Sequence, residues 1–268
     1  MIAEISPDSL RLAVFLGLLV TLIIAEVILP WRDDQQRLMR WPSNFAIVVL
    51  SSLLARLVVP VTAVAAALMV QTKGTGLFHS VNVPFWLALV ASVFLLDLAI
   101  YGQHVLFHKV PVLWRLHRMH HADVMLDVSS GFRFHPLEIV LSLVIKLVVV
   151  TALGAPPEAV LVFEILLNAT SMFNHANIRL PVALDRLIRF VIVTPDMHRV
   201  HHSVVRHETD SNYGFNLPWW DWLFGTYRNE PEAGRDGVVI GLETFRDPAE
   251  SRIDRLLTQP FRNDSAPH

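Results

Sequence analysis

Apolar residues run along this chain in long blocks with no strand-like alternation, so the pattern predicts helices. Residues 10–29 are apolar apart from Arg11, Thr21 and Glu26, and about 20 residues rising ~1.5 Å each cross a hydrocarbon core. Residues 44–70 form a second block that contains Arg56 and Pro60. An arginine at the centre of a span costs roughly 2.5–3.5 kcal/mol, so Arg56 is expected to face the bundle or water, and Pro60 to kink the helix. A third block, residues 84–106, opens on Pro84 and carries Trp86 where a membrane interface would place it. Residues 137–153 and 159–174 are two more blocks, joined by Gly154-Ala155-Pro156-Pro157, which reads as a tight helical hairpin. Lys146 and Glu164 are nearly equidistant from that turn; they either pair inside the hairpin or snorkel separately.

Composition sharpens this into an all-α integral membrane bundle. The chain is 53% hydrophobic and only 17% charged, too apolar for an ordinary soluble enzyme. A net charge of −2 without a basic block argues against a nucleic-acid partner. The absence of cysteine excludes disulfides, thiolate metal sites and iron–sulfur clusters, so redox electrons have to come from another protein. The first nine residues include Glu4 and Asp8 but no Lys or Arg, which reads as the lead into a retained helix, not a cleaved signal. Basic residues gather after the first block (Arg32, Arg37, Arg40), after the third (Lys109, Arg115, Arg118, Arg133) and after the hairpin (Arg179, Arg186, Arg189, Arg199), against Lys73 alone on the other side. The positive-inside rule then places the N-terminus outside and the histidine-rich segments on the cytoplasmic side. Three regions are expected: N-terminal membrane helices over 1–83, a catalytic region over 84–228, and a polar tail over 229–268.

Histidines carry the chemistry. His104 and His108 stand four apart, on one helix face. His117, His120 and His121 repeat as His198, His201 and His202, with H-x2-H-H spacing each time. Neutral imidazoles suit iron, zinc or copper, and helical spacing holds the rings in place before metal arrives. These eight exceed what one ion coordinates, which implies two. His175 can join them, because two passes after His135 return the chain to the same face. His135, followed by Pro136 and Glu138, reads as a helix start with a supporting role near the ligands. Asp97, Tyr101, Glu138, Asn177 and Asn212, with Asp123, Asp127, Asn174 and Asp196, are candidates to hold a ligand's other ring nitrogen. His79, His207 and His268 have no partner at useful spacing. The rivals are a bis-histidine haem protein for electron transfer and a metal transporter; haem ligands normally come singly from separate helices, and transporter ligands lie at mid-membrane.

In order and spacing the residues from Asp97 to Tyr227 resemble the fatty acid hydroxylase superfamily, in the branch that includes sterol desaturases. The resemblance lies in His104 and His108; in Leu113-Trp114-Arg115-Leu116-His117 through His121; in Arg133-Phe134-His135-Pro136-Leu137-Glu138 and Asn174-His175-Ala176-Asn177; in Thr194-Pro195-Asp196-Met197-His198 through Ser203; and in Asn212-Tyr213-Gly214 and Trp220-Asp221-Trp222-Leu223-Phe224-Gly225-Thr226-Tyr227. It implies a cytoplasmic helical cap over a di-iron centre that uses O2 and external electrons, from a separate reductase and carrier, to hydroxylate or desaturate a lipid. The implied ligands are His104, His108, His117, His120, His121, His198, His201 and His202, with His175 as a ninth. Arg179 stands where some relatives have a further histidine. Zinc competes well for such sites in purified samples. Since imidazoles bind metal deprotonated, metal is expected to leave below about pH 6.

Overall fold

The computed structural model describes residues 6–263, so His268 lies outside the described residues. Among them helices predominate and no strand forms; two isolated bridges, Pro30 with Ile178 and Ser203 with Ile240, are the sole β pairings. The α-helices among the described residues are α1 (Pro7–Ile28), α2 (Arg37–Val58), α3 (Ala63–Lys73), α4 (Leu77–Ser80), α5 (Phe85–Lys109), α6 (Pro111–His121), α7 (Pro136–Leu153), α8 (Pro157–His175), α9 (Val182–Ile188), α10 (Pro195–His201), α11 (Arg206–Thr209), α12 (Trp219–Phe224), α13 (Gly234–Gly237) and α14 (Ile253–Thr258).

Local sequence sets the boundaries. Proline occupies the first turn of α1, α6, α7, α8 and α10, where its missing N–H is no loss. Ser6 and Thr194 cap α1 and α10 through their hydroxyls. Gly154 ends α7 in the left-handed region at φ 69°, which a β-carbon would disfavour. Pro111 forces Val110 out of helical geometry, so α5 and α6 meet at a corner and α6 turns across the end of the bundle.

The second apolar block is broken, not kinked. Residues 59–62 leave helical geometry around Pro60, and Thr62 caps the new helix α3. Arg56 does not face the bundle: it is exposed on the last turn of α2, where the helix dipole favours a cation. Four helical segments are long and apolar enough to cross a membrane: Pro7–Ile28, Arg37–Ser80 (α2 to α4), Phe85–Lys109 and Pro136–Leu153. The fifth expected span, α8, is not among them. It carries Glu158, Glu164, Asn168 and Asn174 and packs on α1, α3, α5 and α10, with Val162 and Leu166 left exposed. Its Glu164 pairs with Lys146 at 2.8 Å across the hairpin and with Arg11 of α1 at 2.9 Å, so the two hairpin charges do meet and a third joins them.

The segment after residue 229, expected as a polar tail, packs onto the bundle. Leu256 is fully buried with Ile47 and Met119, and Val238 and Ile240 cluster with Trp31 and Leu126. Arg115 and Arg118 of α6 donate to carbonyls of Gln259, Pro260 and Arg262.

Candidate metal centre

Nine histidines meet at the end of the bundle where α5, α6, α8 and α10 converge, each at most 3% exposed. They fall into two sets in which one nitrogen per ring lies within 4.8 Å of all the others: His104, His108, His117, His121 and His201; and His120, His175, His198 and His202. Helix geometry explains the division. At 3.6 residues per turn the residues three and four along fall on opposite sides of the first, about 100° from each other, and α6 sends His117 and His121 to the first set and His120 to the second. The second motif does the reverse, sending His198 and His202 to the second set and His201 to the first.

The chemistry of the donors fits metal. Nε2 of His104 lies 3.1 Å from Nε2 of His117, and Nε2 of His175 lies 3.0 Å from those of both His120 and His198. His121 and His201 each bury an Nε2, and His108 both ring nitrogens, without a hydrogen-bond partner. A buried polar atom without a partner costs roughly 1–3 kcal/mol, and several such nitrogens converging in one pocket are a donor set suited to a cation. Outside the apolar helices, burial first and mutual repulsion second hold His120, His121, His198 and His202 well below the ordinary 6.5, and burial takes His201 to about 3. These rings are neutral at physiological pH, as ligation requires.

The opposite ring nitrogens are oriented mostly by backbone. Nδ1 of His104, His175 and His201 each donate at 2.7 Å to the carbonyls of Tyr213, Ser171 and Ser211, and Nδ1 of His117 donates at 2.7 Å to Glu138. Asp210 stands 3.5 Å from Nδ1 of His108. The hydrogen-bonded partners, three carbonyls and Glu138, fix ring orientation and raise ligand basicity. Glu138→Ala is therefore expected to weaken metal binding about 10- to 100-fold, and Glu138→Gln, which keeps an acceptor, much less. Chelator competition on purified protein measures both.

The other candidate groups do different work. His135 caps α7 by accepting from Leu137 N at 3.2 Å, as Pro136 suggested, and its Nε2 lies 3.3 Å from Leu257 O, so neither ring nitrogen bonds a clustered histidine. Asp97 accepts from Leu217 N and Trp220 Nε1, and Tyr101 bonds Thr226. Asn212 bonds Met197 O and Arg228, while Asn177 bonds Arg32. Asn174 donates to Phe215 O. Asp196 pairs with Arg199 and Arg235, and Arg179 with Asp236. Asp123 and Asp127 pair with Arg40. His207, expected to be alone, meets Glu232 at 2.7 Å.

Two features escaped the sequence. Buried Glu26 of α1 accepts from Val128 N at 2.7 Å and Asn177 N at 2.8 Å, which ties together the loop after α6 and the residue two beyond His175. The chain after α1 continues this tie, with Trp31 N bonded to Asn177 O and Arg179 N to Leu29 O. The second feature is an aromatic wall: Phe134 stacks on His120 at 4.3 Å, and Phe215 lies 5.5 Å from His104. Both belong to the apolar core between α3, α5, α7 and α8.

The fatty acid hydroxylase family model matches residues 88–226, just over half of the chain and all nine clustered histidines. The chain belongs to the fatty acid hydroxylase family. Within and around that region it is 32% identical over 158 residues to an ornithine lipid hydroxylase of Rhizobium tropici, covering 59% of this chain and 46% of that protein. It is 31% identical over 173 residues to the alkylglycerol monooxygenase of Homo sapiens, covering 62% and 36%. It is 29% identical over 175 residues to the Delta(7)-sterol-C5(6)-desaturase of Nicotiana tabacum, covering 61% and 59%. These matches thus span 36% to 59% of the relatives' own lengths. No solved structure matches this family member.

Proposed function

We propose that the protein is a membrane-bound, oxygen-dependent di-iron oxidoreductase that hydroxylates or desaturates a C–H bond of a membrane lipid. The observation that carries this reading is the pair of converging histidine sets in a chain whose relatives are named for lipid hydroxylation, monooxygenation and desaturation. His104, His108, His117, His121 and His201 would hold one ion, and His120, His175, His198 and His202 the other. Bound there, iron would activate O2 for attack on an unactivated C–H bond. The chain's own residues orient the ligands through the Tyr213, Ser171 and Ser211 carbonyls and Glu138. Phe134 and Phe215 line the face of the site toward the apolar core, which keeps water from the reacting bond and offers an alkyl chain matching surface.

Electrons come from an external reductase and carrier, reaching the site from the side where the basic loops lie. By the positive-inside rule that side is cytoplasmic. Two rivals fit less well. Imidazole nitrogens 3.0–3.1 Å apart leave no slot for a macrocycle between them, and the set lies at helix ends, away from mid-bundle where a transport site would be. Mass spectrometry of membrane lipids from cells with and without the protein tests the reading. One oxygen gained, or two hydrogens lost, in a lipid that depends on O2 and on intact His201 is the expected result; an unchanged lipid profile overturns it.

Acid should release the metal by a particular route. The unfolded chain takes up protons below about 6.5, whereas His201 in the folded site does so only near 3. The unfolded state therefore binds more protons throughout that interval, and stability falls as pH falls through it. Metal loss is expected to coincide with loss of tertiary structure, followed together by metal analysis and near-ultraviolet circular dichroism. Release at pH 5 from a still-folded protein would contradict the neutral, desolvated site.

A further inference from the structure

Outside the four apolar segments, bare apolar side chains gather on α12 and just after α9. Phe190 is 62% exposed, Val191 59%, Leu223 68% and Phe224 56%. The two segments are zipped together: Val193 N bonds Asn216 O at 3.0 Å, and the Trp219 indole donates to Phe190 O at 2.7 Å. We propose that this paired segment is embedded in the hydrocarbon layer beside α5, as a short element that dips from the metal centre into the bilayer and returns.

Depth is the first argument. The segment touches α5 at three successive levels: Trp219 stacks on Phe94, Asp97 accepts from Leu217 N and Trp220 Nε1, and Phe224 stacks on Tyr101. Ten residues separate Phe94 from His104, a descent of ~15 Å along the helix axis. The exposed residues of α5 from Leu87, 60% exposed, to Leu106, 52% exposed, are all apolar, with Val90 and Leu95 between them. Lipid therefore flanks α5 from above Phe94 to below His104, and every contact level of the segment falls inside that interval.

Polar bookkeeping is the second. Non-helical backbone survives at membrane depth only where its polar groups are satisfied by protein. Here the fully buried Asp221 accepts from the backbone N–H of Tyr213 and Gly214 and from the Thr226 hydroxyl, and its own carbonyl accepts from Thr226 N and Tyr227 N. At Gly214 a β-carbon would lie 2.7 Å from the Asp221 carboxylate, so only glycine permits the loop to close this tightly. Polar atoms turn inward and bare aromatic and aliphatic side chains turn out, the reverse of a water-facing loop. The same Tyr213 gives its carbonyl to His104, so backbone that orients a proposed ligand is continuous with backbone held in lipid.

The chain has no cysteine, which makes the test direct. Single variants Leu223→Cys and Val191→Cys are spin-labelled in the full-length protein reconstituted in phosphatidylcholine vesicles. Collision with O2, which partitions into lipid, is compared with collision with a water-soluble nickel chelate. Val90→Cys, on the bare face of α5, serves as the lipid reference and Glu243→Cys, on the polar surface, as the aqueous one. The expected oxygen-to-nickel accessibility ratio at both test sites matches Val90 and exceeds Glu243 several-fold. A ratio like that of Glu243 overturns the proposal, and so does shielding from both reagents, which would mean that protein covers the surface. The readout needs neither metal nor substrate, so it fails or succeeds independently of the proposed reaction.

Discussion

His201→Ala and His120→Ala are expected to abolish turnover while leaving the protein folded, with bound metal falling from two ions per chain toward one. The two variants differ in which ion goes. His201 belongs to the five-histidine set and His120 to the four-histidine set, so the second has less to spare. His120→Ala leaves three imidazoles there, and its site is expected to empty at lower chelator concentration than that of His201→Ala, which leaves four. Metal analysis and lipid-product assays on the same preparations decide the matter; full activity in either variant would refute the ligand assignment. The smaller set also lacks a histidine at Arg179, which points away to Asp236.

Loss of Arg40 carries the largest expected cost in stability. Its guanidinium is completely buried and bonds both carboxylate oxygens of Asp123 at 2.9 Å, Met125 O at 2.7 Å, and Asp127 and Asp34. Asp123 is pushed upward by burial, but Arg40 and Arg133 more than offset this and hold it below the usual carboxylate range. Arg40→Ala strands buried carboxylates, a change that costs about 3–5 kcal/mol, a large share of an ordinary total of about 5–15 kcal/mol. Thermal or denaturant unfolding in detergent should register it. Arg40→Lys is expected to recover little, since one ammonium cannot span three carboxylates as the planar fork does. Asp123 follows His121 by two residues, so the same change should lower metal content as well.

Much of this was legible in the sequence, for identifiable reasons. Apolar block length marks α1, α5 and α7, and i, i+4 spacing brings His104 to His108; that each H-x2-H-H motif is divided between two sets emerged only from the packing of α6 and α10. Other features were illegible because they rest on groups without a sequence signature. The carbonyls of Tyr213, Ser171 and Ser211 exist at every residue, so nothing marked them as partners of histidine. Asp97 looked like a ligand's partner because it is ionisable in an apolar helix, yet its acceptor is used by Trp220, 123 positions away. Pro60 announced a bend, but whether a helix bends or restarts depends on whether a cap follows, and Thr62 supplied one. Glu26 was read as a blemish in a span; only tertiary contact reveals it as the tie between Val128 and Asn177.

That tie has a consequence for assembly. The family region begins at residue 88, but Glu26 and the bridge between Pro30 and Ile178 close on it from about 150 positions upstream. Sequence separations of this size are slow to close. During synthesis the first helix must wait in the bilayer until the end of α8 and Ile178 have left the ribosome, with the second histidine motif still to come. A fragment cut at the family boundary would carry all nine clustered imidazoles and still lack the brace that sets two of its loops.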